Sequence, residues 1–501
     1  MNLMMLLEMA AASAGEREAL VCEGERWTHG ELFAAAGRAA ARVRASGVER
    51  VALLDVSSPA VPIALFASAW AGRPFVPLNY RLTGPELDVL IERVRPALLI
   101  TDRERAAALG RREGVQAVAR EDFLAGVRAP GPAPDPDWAM EPDDVAIWLF
   151  TSGTTGAPKA ALLRHRHLVS YILGSVEFMS ASEADAALVS VPPYHVAGMA
   201  ALLSSIYAGR RIVQLPAFSP ERWLALVESE RVTNAFVVPT MLARVVDALE
   251  AIGGKPPRTL RALAYGGGKM PLPVIERAMR LFGQADLTNA YGLTETSSTI
   301  AVLGPDDHRE AAASDAPDVR RRLSSVGRPL PGVEVEIRDP DGKPVPAGQR
   351  GEVCVRGEQV SGEYLGRASR IGPGGWFPTN DGGFLDEAGY LFVEGRIDDV
   401  IVRGGENLSP GEIEDVLLGH PAVADAAVVG VPDLEWGEGV AAAIVLKEGA
   451  EASAGEIQAW VKKHLRSSRV PQLVRFEPEL PYNEAGKLLR RRVREALART
   501  S

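Results

Sequence analysis

Cysteine is scarce in this chain of 501 residues, and its scarcity excludes several classes of protein. The two cysteines, Cys22 and Cys354, are too few and too far apart for a disulfide framework or a cysteine metal cluster. A reducing, cytoplasmic setting fits this usage. The apolar start, residues 1–9, lacks a basic segment and contains Glu8, so it matches neither a signal peptide nor a membrane span. We predict an amphipathic helix there and no integral membrane association.

The chain also lacks a concentrated excess of charge of one sign. Its net charge of -10 is modest for this length, and no stretch maintains a basic face, which argues against a nucleic-acid partner. Arginine outnumbers lysine, and alanine and glycine are abundant, as is typical of a GC-rich bacterial genome. A length of 501 residues exceeds what one core supports, so two or more domains are expected.

The apolar pattern that is present alternates strands with helices and predicts an α/β protein. Strands of a first array are predicted at 51–56, 75–78 and 97–101. A Pro- and Asp-rich segment at 128–144 is predicted to connect two subdomains, and a buried strand is predicted after it at 145–150. A second array has predicted strands near 187–191, 211–215, 233–238, 261–265 and 286–290. Short strands at 333–338, 351–356 and 390–394 indicate a small β unit, and the last hundred or so residues indicate a separate α+β domain.

A loop after the strand at 145–150 combines the residue types that hold phosphate. Two glycines allow close backbone approach, four hydroxyls offer short polar contacts, and a lysine adds a compact positive charge. The residues are Thr151, Ser152, Gly153, Thr154, Thr155, Gly156 and Lys159. A helix is predicted over 160–177, which places the loop at a strand-to-helix turn. Taken alone, such a loop is more often an ordinary surface turn, and its spacing differs from that of a Walker A loop.

Three further motifs accompany this loop: Asn-Ala-Tyr-Gly-Leu-Thr-Glu-Thr at 289–296, a Gly-Arg-Ile-Asp-Asp run that opens 395–414, and Pro-Tyr-Asn-Glu-Ala-Gly-Lys at 481–487. With them the sequence resembles the acyl-adenylate-forming (AMP-binding) superfamily, which includes acyl-CoA synthetases, adenylation domains of peptide synthetases and beetle luciferases. The run at 395–414 is similar to that of halobenzoate-CoA ligases, and medium/long-chain fatty acid-CoA ligases are related. The resemblance extends over nearly the whole chain.

This resemblance implies a large N-terminal domain, residues 1–397, built from two α/β subdomains and a β-barrel-like unit, and a small mobile α+β C-terminal domain, residues 398–501. It implies an ATP-dependent carboxylate-CoA ligase that forms acyl-AMP and then a thioester. ATP, Mg²⁺ and coenzyme A are the implied cofactors, and a carboxylic acid is the other substrate.

The resemblance also assigns roles to residues at the nucleotide. Tyr291 is implied as the adenine platform, Asp381 as the ribose ligand, Arg396 as a ribose and phosphate contact, Glu295 as the Mg²⁺ ligand and Lys487 as the catalytic lysine. Further implied adenine, phosphate or catalytic contacts are Gly266, Gly267, Gly268, Asn289, Ala290, Gly292, Thr294 and His195.

The implied acyl pocket is lined by Tyr194, His195, Val196, Gly198, Met199, Val238, Gly266 and Gly292. His195 stands near the point where amino-acid-activating relatives carry an aspartate, which disfavours an α-amino acid. Gly292 replaces a bulky residue that shortens the pocket of acetate-activating relatives. A larger hydrophobic acid is therefore expected: aromatic, medium to long acyl, or a polycyclic natural-product acid.

The thiol side of the resemblance names Arg81 for the CoA phosphates, Gly404 and Gly405 for the pantetheine chain, and Asp398 as the hinge. Trp436 is either a pantetheine contact or a core residue. Departures from the family pattern are Ala160 and Asn380, both at positions where glycine is usual. The arginine run at 490–494 is most simply a solvated helix end.

Two alternatives to a CoA ligase stay open. One is a ligase that loads a carrier-protein phosphopantetheine, and the other is a protein that senses nucleotide or acyl-AMP without turnover. Intact Glu295, Asp381, Arg396 and Lys487 argue against the sensor. The sequence leaves a homodimer open, and it does not identify the acid.

Overall fold

The computed structural model of the chain describes residues 1–109, 112–129, 136–151, 159–483 and 488–498. Its first part contains helices α1 Met4–Ala14, α2 His29–Ser46, α3 Ala60–Ala71, α4 Gly84–Val94, α5 Arg103–Leu109, α6 Arg120–Arg128 and α7 His165–Ser175. The strands of this part are β1 Glu18–Cys22, β2 Glu25–Thr28, β3 Arg50–Leu54, β4 Phe75–Pro77, β5 Ala97–Thr101, β6 Val115–Ala119, β7 Val145–Thr151 and β8 Lys159–Arg164.

Local sequence determines where these helices begin and end. Thr28 accepts a hydrogen bond from the amide of Glu31, and the Glu31 carboxylate accepts one from the amide of Thr28, so a capping box starts α2. Gly47, with φ of 68°, ends it in the left-handed conformation that glycine adopts at low cost. The predicted N-terminal helix is confirmed as α1, whose Leu3 flank and Met4 are fully buried.

The second part extends the α/β pattern. Its elements are β9 Ala186–Val189, α8 Val196–Ala208, β10 Arg211–Gln214, α9 Pro220–Ser229, β11 Asn234–Val237, α10 Pro239–Ala251, β12 Ala262–Gly266, α11 Leu272–Leu281, β13 Asp286–Leu293, β14 Ser298–Leu303, α12 Pro305–Ala313, α13 Pro317–Arg320 and β15 Arg328–Pro329. A short 3-10 turn, Thr294–Thr296, follows β13, and another spans Arg321–Ser324.

Two mixed sheets carry this N-terminal domain. The first has the strand order β6-β5-β3-β4-β7-β8, and the second has the order β15-β14-β13-β12-β11-β9-β10-β1-β2. Strand β1 pairs in parallel with β10, Leu20 opposite Ile212, so the N-terminal hairpin belongs to the second sheet. One apolar cluster, with Leu20, Phe66, Ile147 and Leu203 among its members, joins the two sheets through helices α1, α2, α3 and α8.

The segment predicted as a helix over 160–177 is different in the structure. Strand β8 returns antiparallel to β7, with Thr151 opposite Lys159, and α7 begins only at His165. The prediction of one helix was wrong because alternate residues of β8, Ala161 and Leu163, are fully buried as in a strand. The phosphate-type loop therefore connects two strands.

The third part is a four-stranded antiparallel sheet with strand order β16-β17-β18-β19. Its strands are β16 Glu334–Arg338, β17 Gly351–Arg356, β18 Phe377–Leu385 and β19 Leu391–Arg396, with 3-10 turns at Pro373–Gly375 and Ile397–Asp399. Strand β18 was not predicted because a proline, an asparagine and two glycines interrupt its apolar pattern.

The C-terminal domain has a mixed sheet covered by helices on both faces. Its elements are β20 Ile401–Arg403, β21 Glu406–Leu408, α14 Pro410–Leu418, β22 Val423–Asp433, β23 Gly437–Leu446, α15 Ala454–His464, a 3-10 turn Ser467–Arg469, β24 Leu473–Phe476 and α16 Arg490–Ala498. Two apolar clusters, one beneath α14 and α15 and one beneath α16, occupy its two faces. Among the residues that the structure describes, no helix combines the length and apolar character needed to cross a bilayer.

A buried histidine makes the fold sensitive to acid. His165 is 3% exposed, and its Nδ1 accepts a 3.2 Å hydrogen bond from the amide of Leu3, which requires a neutral ring. Burial lowers the pKa of His165 from 6.5 to about 4, so its contribution to stability is complete above pH 6.5 and is lost as pH falls toward 4. His165→Asn keeps an acceptor that does not protonate.

We expect wild type to lose about 2 kcal/mol more than His165→Asn in its free energy of unfolding between neutral pH and a pH near 5. Urea unfolding at the two pH values measures this difference. His464→Asn, at an exposed position on α15, is the matched control and should lose as much as wild type. Equal losses in all three proteins would contradict the assignment.

Candidate active site

The carboxyl ends of two neighbouring parallel strands form the centre of the candidate site. Strands β12 and β13 pair with Tyr265 opposite Asn289 and Gly266 opposite Ala290. A Cβ on Gly266 would lie 2.1 Å from the Ala290 carbonyl oxygen, and Gly267 has φ of 82°, so both positions require glycine. Ligands of open α/β sheets gather at this edge. The strand predicted near 286–290 extends to Leu293 as β13, so the motif residues 289–293 lie within the strand.

A hydrogen-bonded triad joins this edge to the antiparallel β unit. Strands β18 and β19 place Asp381 opposite Arg396, and Arg396 Nη1 donates to Asp381 Oδ1 at 3.0 Å. Tyr291 Oη donates to Asp381 Oδ2 at 2.6 Å. Burial, and then the Asp381 charge, raises the pKa of Tyr291 well above its usual value, so the phenol stays a donor. Each carboxylate oxygen keeps a lone pair that could accept a ribose hydroxyl.

The predicted metal ligand, Glu295, lies in the 3-10 turn after β13. Its carboxylate accepts a short hydrogen bond from the Tyr364 hydroxyl, and its carbonyl oxygen accepts one from the Ser361 amide at 2.8 Å. The preceding residue, Thr294, begins the same turn. Sequence reasoning missed Tyr364, because 69 residues separate it from Glu295 and no motif marks it.

The residues around Glu295 fit a magnesium site of the kind that nucleotides complete. Across the described part of the chain, no group of three or more His, Cys, Asp or Glu side chains could enclose a metal ion. Mg²⁺ is commonly held through one or two carboxylates together with substrate phosphates. The Glu295 carboxylate by itself is therefore a sufficient protein contribution to such a site.

Only the two ends of the phosphate-type loop are described. Thr151 ends β7 and Lys159 begins β8, and Thr151 Oγ1 donates to the Lys159 carbonyl oxygen at 3.4 Å. The predicted contacts Ser152, Gly153, Thr154, Thr155 and Gly156 lie outside the described residues, as does the predicted catalytic Lys487. The departure at Ala160 falls in β8, where the side chain is buried.

An aromatic row borders the predicted acyl pocket. The rings of Tyr80 and Tyr194 are 5.5 Å apart, and those of Tyr194 and His195 are 4.6 Å apart. Burial, and then the positive charge of Arg81, lowers the pKa of His195 to about 4, so its ring is neutral at pH 7. His195 Nε2 is buried without a hydrogen-bond partner among the described residues. At pH 7 the His195 side chain is therefore polar but uncharged.

The remaining predicted pocket residues lie at two helix starts. Val196 begins α8, and a Cβ on Gly198 would lie 2.8 Å from the Pro192 carbonyl oxygen, so glycine allows close packing there. Met199 and Val238 are buried apolar residues, 1% and 5% exposed. Met199 packs in the apolar cluster that joins the two sheets, and Val238 packs in the core of the second sheet.

Gly292 has a different constraint from the one predicted. The sequence suggested that a side chain at this position would extend into the acyl pocket and shorten it. A Cβ would instead lie 1.8 Å from the Ser298 carbonyl oxygen and 2.8 Å from the Thr299 Cα of strand β14. A bulky residue at 292 must therefore displace β14. A change of acid preference in such a variant could come from the displaced strand as well as from a shallower pocket.

Three of the predicted thiol-side residues, Gly404, Gly405 and Trp436, lie together in the C-terminal domain, whereas Arg81 lies between β4 and α4 of the N-terminal domain. Gly404 and Gly405 have φ of 57° and 84°, and the Gly404 amide donates to the Trp436 carbonyl oxygen at 2.8 Å. A Cβ on Gly404 would lie 2.7 Å from the Trp436 ring. Trp436 is 43% exposed, which excludes the core role. This face is therefore accessible to solvent in the described orientation.

The predicted hinge residue contacts a residue at which the chain departs from its family. Asn380 has φ of 65°, a conformation that glycine adopts freely and asparagine tolerates. Its Nδ2 donates to Asp398 Oδ2 at 2.8 Å. The substitution of the usual glycine therefore adds a side-chain contact to the segment between the domains.

Comparison with known proteins gives the class that the sequence motifs predict. An AMP-binding enzyme family model matches residues 7–365, and a model of the AMP-binding enzyme C-terminal domain matches 412–487. The feruloyl-CoA synthase of an Amycolatopsis species is 35% identical over 487 residues, 94% of each chain. The fatty acid–[acyl-carrier-protein] ligase ScoC of Streptomyces coeruleorubidus is 33% identical over 491 residues, 95% of this chain and 93% of the relative.

Solved structures agree with the sequence relatives. The o-succinylbenzoate CoA synthetase of Bacillus subtilis, solved with its acyl-adenylate intermediate, has a TM-score of 0.84 and 31% identity over 97% of both chains. The same synthetase was also solved with ATP and magnesium. Fold and site thus define an ATP-dependent, AMP-forming ligase. The chain belongs to the AMP-binding enzyme family, and ATP, Mg²⁺ and coenzyme A are confirmed as the cofactors of this class.

Proposed function

We propose that the chain activates a hydrophobic carboxylic acid as acyl-AMP and transfers the acyl group to coenzyme A. The observation that carries this proposal is the convergence of Tyr291, Asp381, Arg396 and Glu295 at the carboxyl edge of β12 and β13. A sensor without turnover commonly lacks one of the catalytic groups, whereas Glu295, Asp381, Arg396 and Lys487 are all present in this chain. The domains would divide at residues 397 and 398.

In the first step a carboxylate oxygen of the acid attacks the α-phosphorus of ATP, and the bond to the β-phosphate breaks to release pyrophosphate. Asp381 and Arg396 would hold the ribose, which fixes the α-phosphate relative to the acid. Negative charge develops on phosphate oxygens, so Lys159, Lys487 and Arg396 would lower the barrier electrostatically. Magnesium, held through Glu295, supplies further charge neutralisation when bound.

In the second step a thiolate attacks the acyl carbonyl carbon, and AMP leaves. The Gly404–Gly405 turn and Trp436 would contact the pantetheine chain, and Arg81 the CoA phosphates. Since that face is exposed in the described orientation, the proposed cycle includes a rotation of the C-terminal domain about Asp398 between the two steps.

The acid is proposed to lack an α-amino group. A neutral His195 offers no negative charge to an ammonium group, and the predicted pocket residues Met199 and Val238 are apolar side chains. The related feruloyl-CoA synthase and o-succinylbenzoate CoA synthetase carry aromatic acids in their names, and the ScoC relative a fatty acid. Aromatic and medium to long acyl acids are therefore the first to test.

Pyrophosphate release with a panel of acids tests this proposal. We expect release above background with at least one aromatic or fatty acid, and none with the corresponding α-amino acid. AMP and an acyl-CoA thioester should then form in equal amounts when CoA is added. Failure of every hydrophobic acid to release pyrophosphate, with the protein folded, would contradict the function.

Transfer to a carrier protein is the second candidate, and the ScoC relative favours it. The same assay separates the two acceptors when free CoA and a phosphopantetheinylated carrier protein are offered in parallel. Thioester formation with free CoA at the higher kcat/KM supports the first proposal. Thioester formation with the carrier protein alone would replace it with the second.

A further inference from the structure

The residues on either side of Lys487 are joined to each other and to the C-terminal sheet. Tyr482 and Leu488 form an antiparallel bridge, and the Leu489 amide donates to the Pro481 carbonyl oxygen at 2.8 Å. Tyr482 Oη donates to the Asp425 carboxylate of β22 at 3.0 Å. Both ends of the segment that carries Lys487 are therefore anchored at one place.

Arg490 extends this anchor toward the hinge. It lies three residues after Lys487 and begins α16. Its guanidinium donates to Glu414 Oε2 of α14 at 2.8 Å and to the Val428 carbonyl oxygen of β22 at 2.8 Å. Its Nε lies 3.5 Å from Oδ2 of Asp399, the neighbour of the proposed hinge residue. One side chain thus connects two C-terminal elements with the inter-domain segment.

The burial of this cluster corrects the prediction of a solvated arginine run. The side chains of Arg490 and Glu414 are 20% and 8% exposed, whereas Arg491 is 73% exposed and contacts Glu495 of its own helix. A buried ion pair adds little net stability, because desolvation of both charges offsets their attraction. The contacts of the Arg490 guanidinium are therefore better explained by the fixed geometry that they impose than by a gain in stability.

We propose that Arg490 is a positioning residue that fixes how the Lys487 segment leaves the C-terminal domain, with Glu414 and Asp399 as its partners. The inference rests on the proposed role of Lys487 in adenylation. Because Lys487 is assigned to the first step alone, Arg490 should affect adenylation and spare thiol transfer. A displacement of about 1 Å can lower a rate by about 10²-fold.

Arg490→Lys tests the proposal, since lysine keeps the positive charge but cannot contact three partners as a planar fork. We expect kcat for acid-dependent ATP–pyrophosphate exchange to fall by about 10- to 10²-fold, with KM for ATP within about threefold of wild type. Thioester formation from supplied acyl-AMP and CoA should stay within about threefold. Arg491→Lys is the matched control, and its exchange should equal that of wild type.

Asp399→Asn provides a second variant that removes only the charge of the most distant partner. It should give a smaller loss of exchange with the same preservation of thioester formation, even if Arg490→Lys fails to fold. The proposal is overturned if exchange is unchanged in the folded variants, or if both half-reactions fall equally. Undiminished exchange in Lys487→Ala would instead refute the role of Lys487 in the proposed function, which is a distinguishable outcome.

Discussion

Lys487→Ala is expected to lower acid-dependent ATP–pyrophosphate exchange by at least about 10²-fold, the effect typical of losing one fixed group that stabilises transition-state charge. Negative charge develops on the phosphate oxygens as pyrophosphate leaves, and an alanine supplies nothing to replace the ammonium. Thioester formation from supplied acyl-AMP should stay near the wild-type rate, because in the proposed cycle that step takes place with the other face of the domain at the site.

The control for this variant is Lys463→Ala, which removes an exposed lysine from α15 of the same domain. It should leave both half-reactions at wild-type rates, and both variants should keep the wild-type urea midpoint. If supplied acyl-AMP also fails to react with CoA in a folded Lys487→Ala protein, the division of roles between the two faces is wrong.

Motifs were predictive where residues close in sequence act together. The alternation of strands and helices identified an α/β protein, and the glycines at 266–268 were placed at the end of a strand, where β12 ends. Asp381 and Arg396, both assigned to the ribose, are hydrogen-bonded to each other, and Tyr291, assigned to the adenine, donates to Asp381. The assigned contacts themselves stay predictions, since they concern the bound nucleotide.

Pairings between distant segments could not be predicted from local pattern. Strand β1 joins the second sheet through a partner about 190 residues away, and its own pattern fits either sheet equally well. The contact of Tyr364 with Glu295 and that of Arg490 with Glu414 have the same origin. Both contacts depend on tertiary packing. Hydrophobic periodicity predicts secondary structure and does not show which distant segments pack together.

At Gly292 the inference from relatives considered the acyl pocket and left out the neighbouring strand β14. The size of the side chain at position 292 was expected to set the depth of the pocket, as in acetate-activating relatives. The register shift between Tyr291 and Gly292 brings β14 so close that any Cβ meets the Ser298 carbonyl. In this chain the backbone of β14 leaves no room for a Cβ at position 292, whatever acid the pocket accepts.

Asp398→Pro is expected to separate the half-reactions by fixing the hinge in the orientation described here. Asp398 lies in the 3-10 turn Ile397–Asp399, and the φ of such turns, about -50 to -70°, is the range that proline imposes. In this orientation the Gly404–Gly405 face is exposed to solvent and does not lie at the nucleotide. In the proposed cycle this is the orientation of the adenylation step. Exchange should therefore stay within about threefold of wild type, while CoA thioester formation falls by at least about 10²-fold.

Two effects of the proline must be separated, because it also removes the carboxylate that accepts from Asn380. Asp398→Ala removes the same hydrogen bond but leaves φ free, so it should retain thioester formation if fixing φ is the cause. Asn380→Gly removes the bond from the other side and should behave like Asp398→Ala, since glycine adopts the left-handed φ of 65° without strain. A loss of both half-reactions in folded Asp398→Pro would indicate disruption of the site, and full activity in both would show that rotation occurs elsewhere in the chain. A thioester defect in Asp398→Ala equal to that of the proline variant would assign the effect to the lost hydrogen bond.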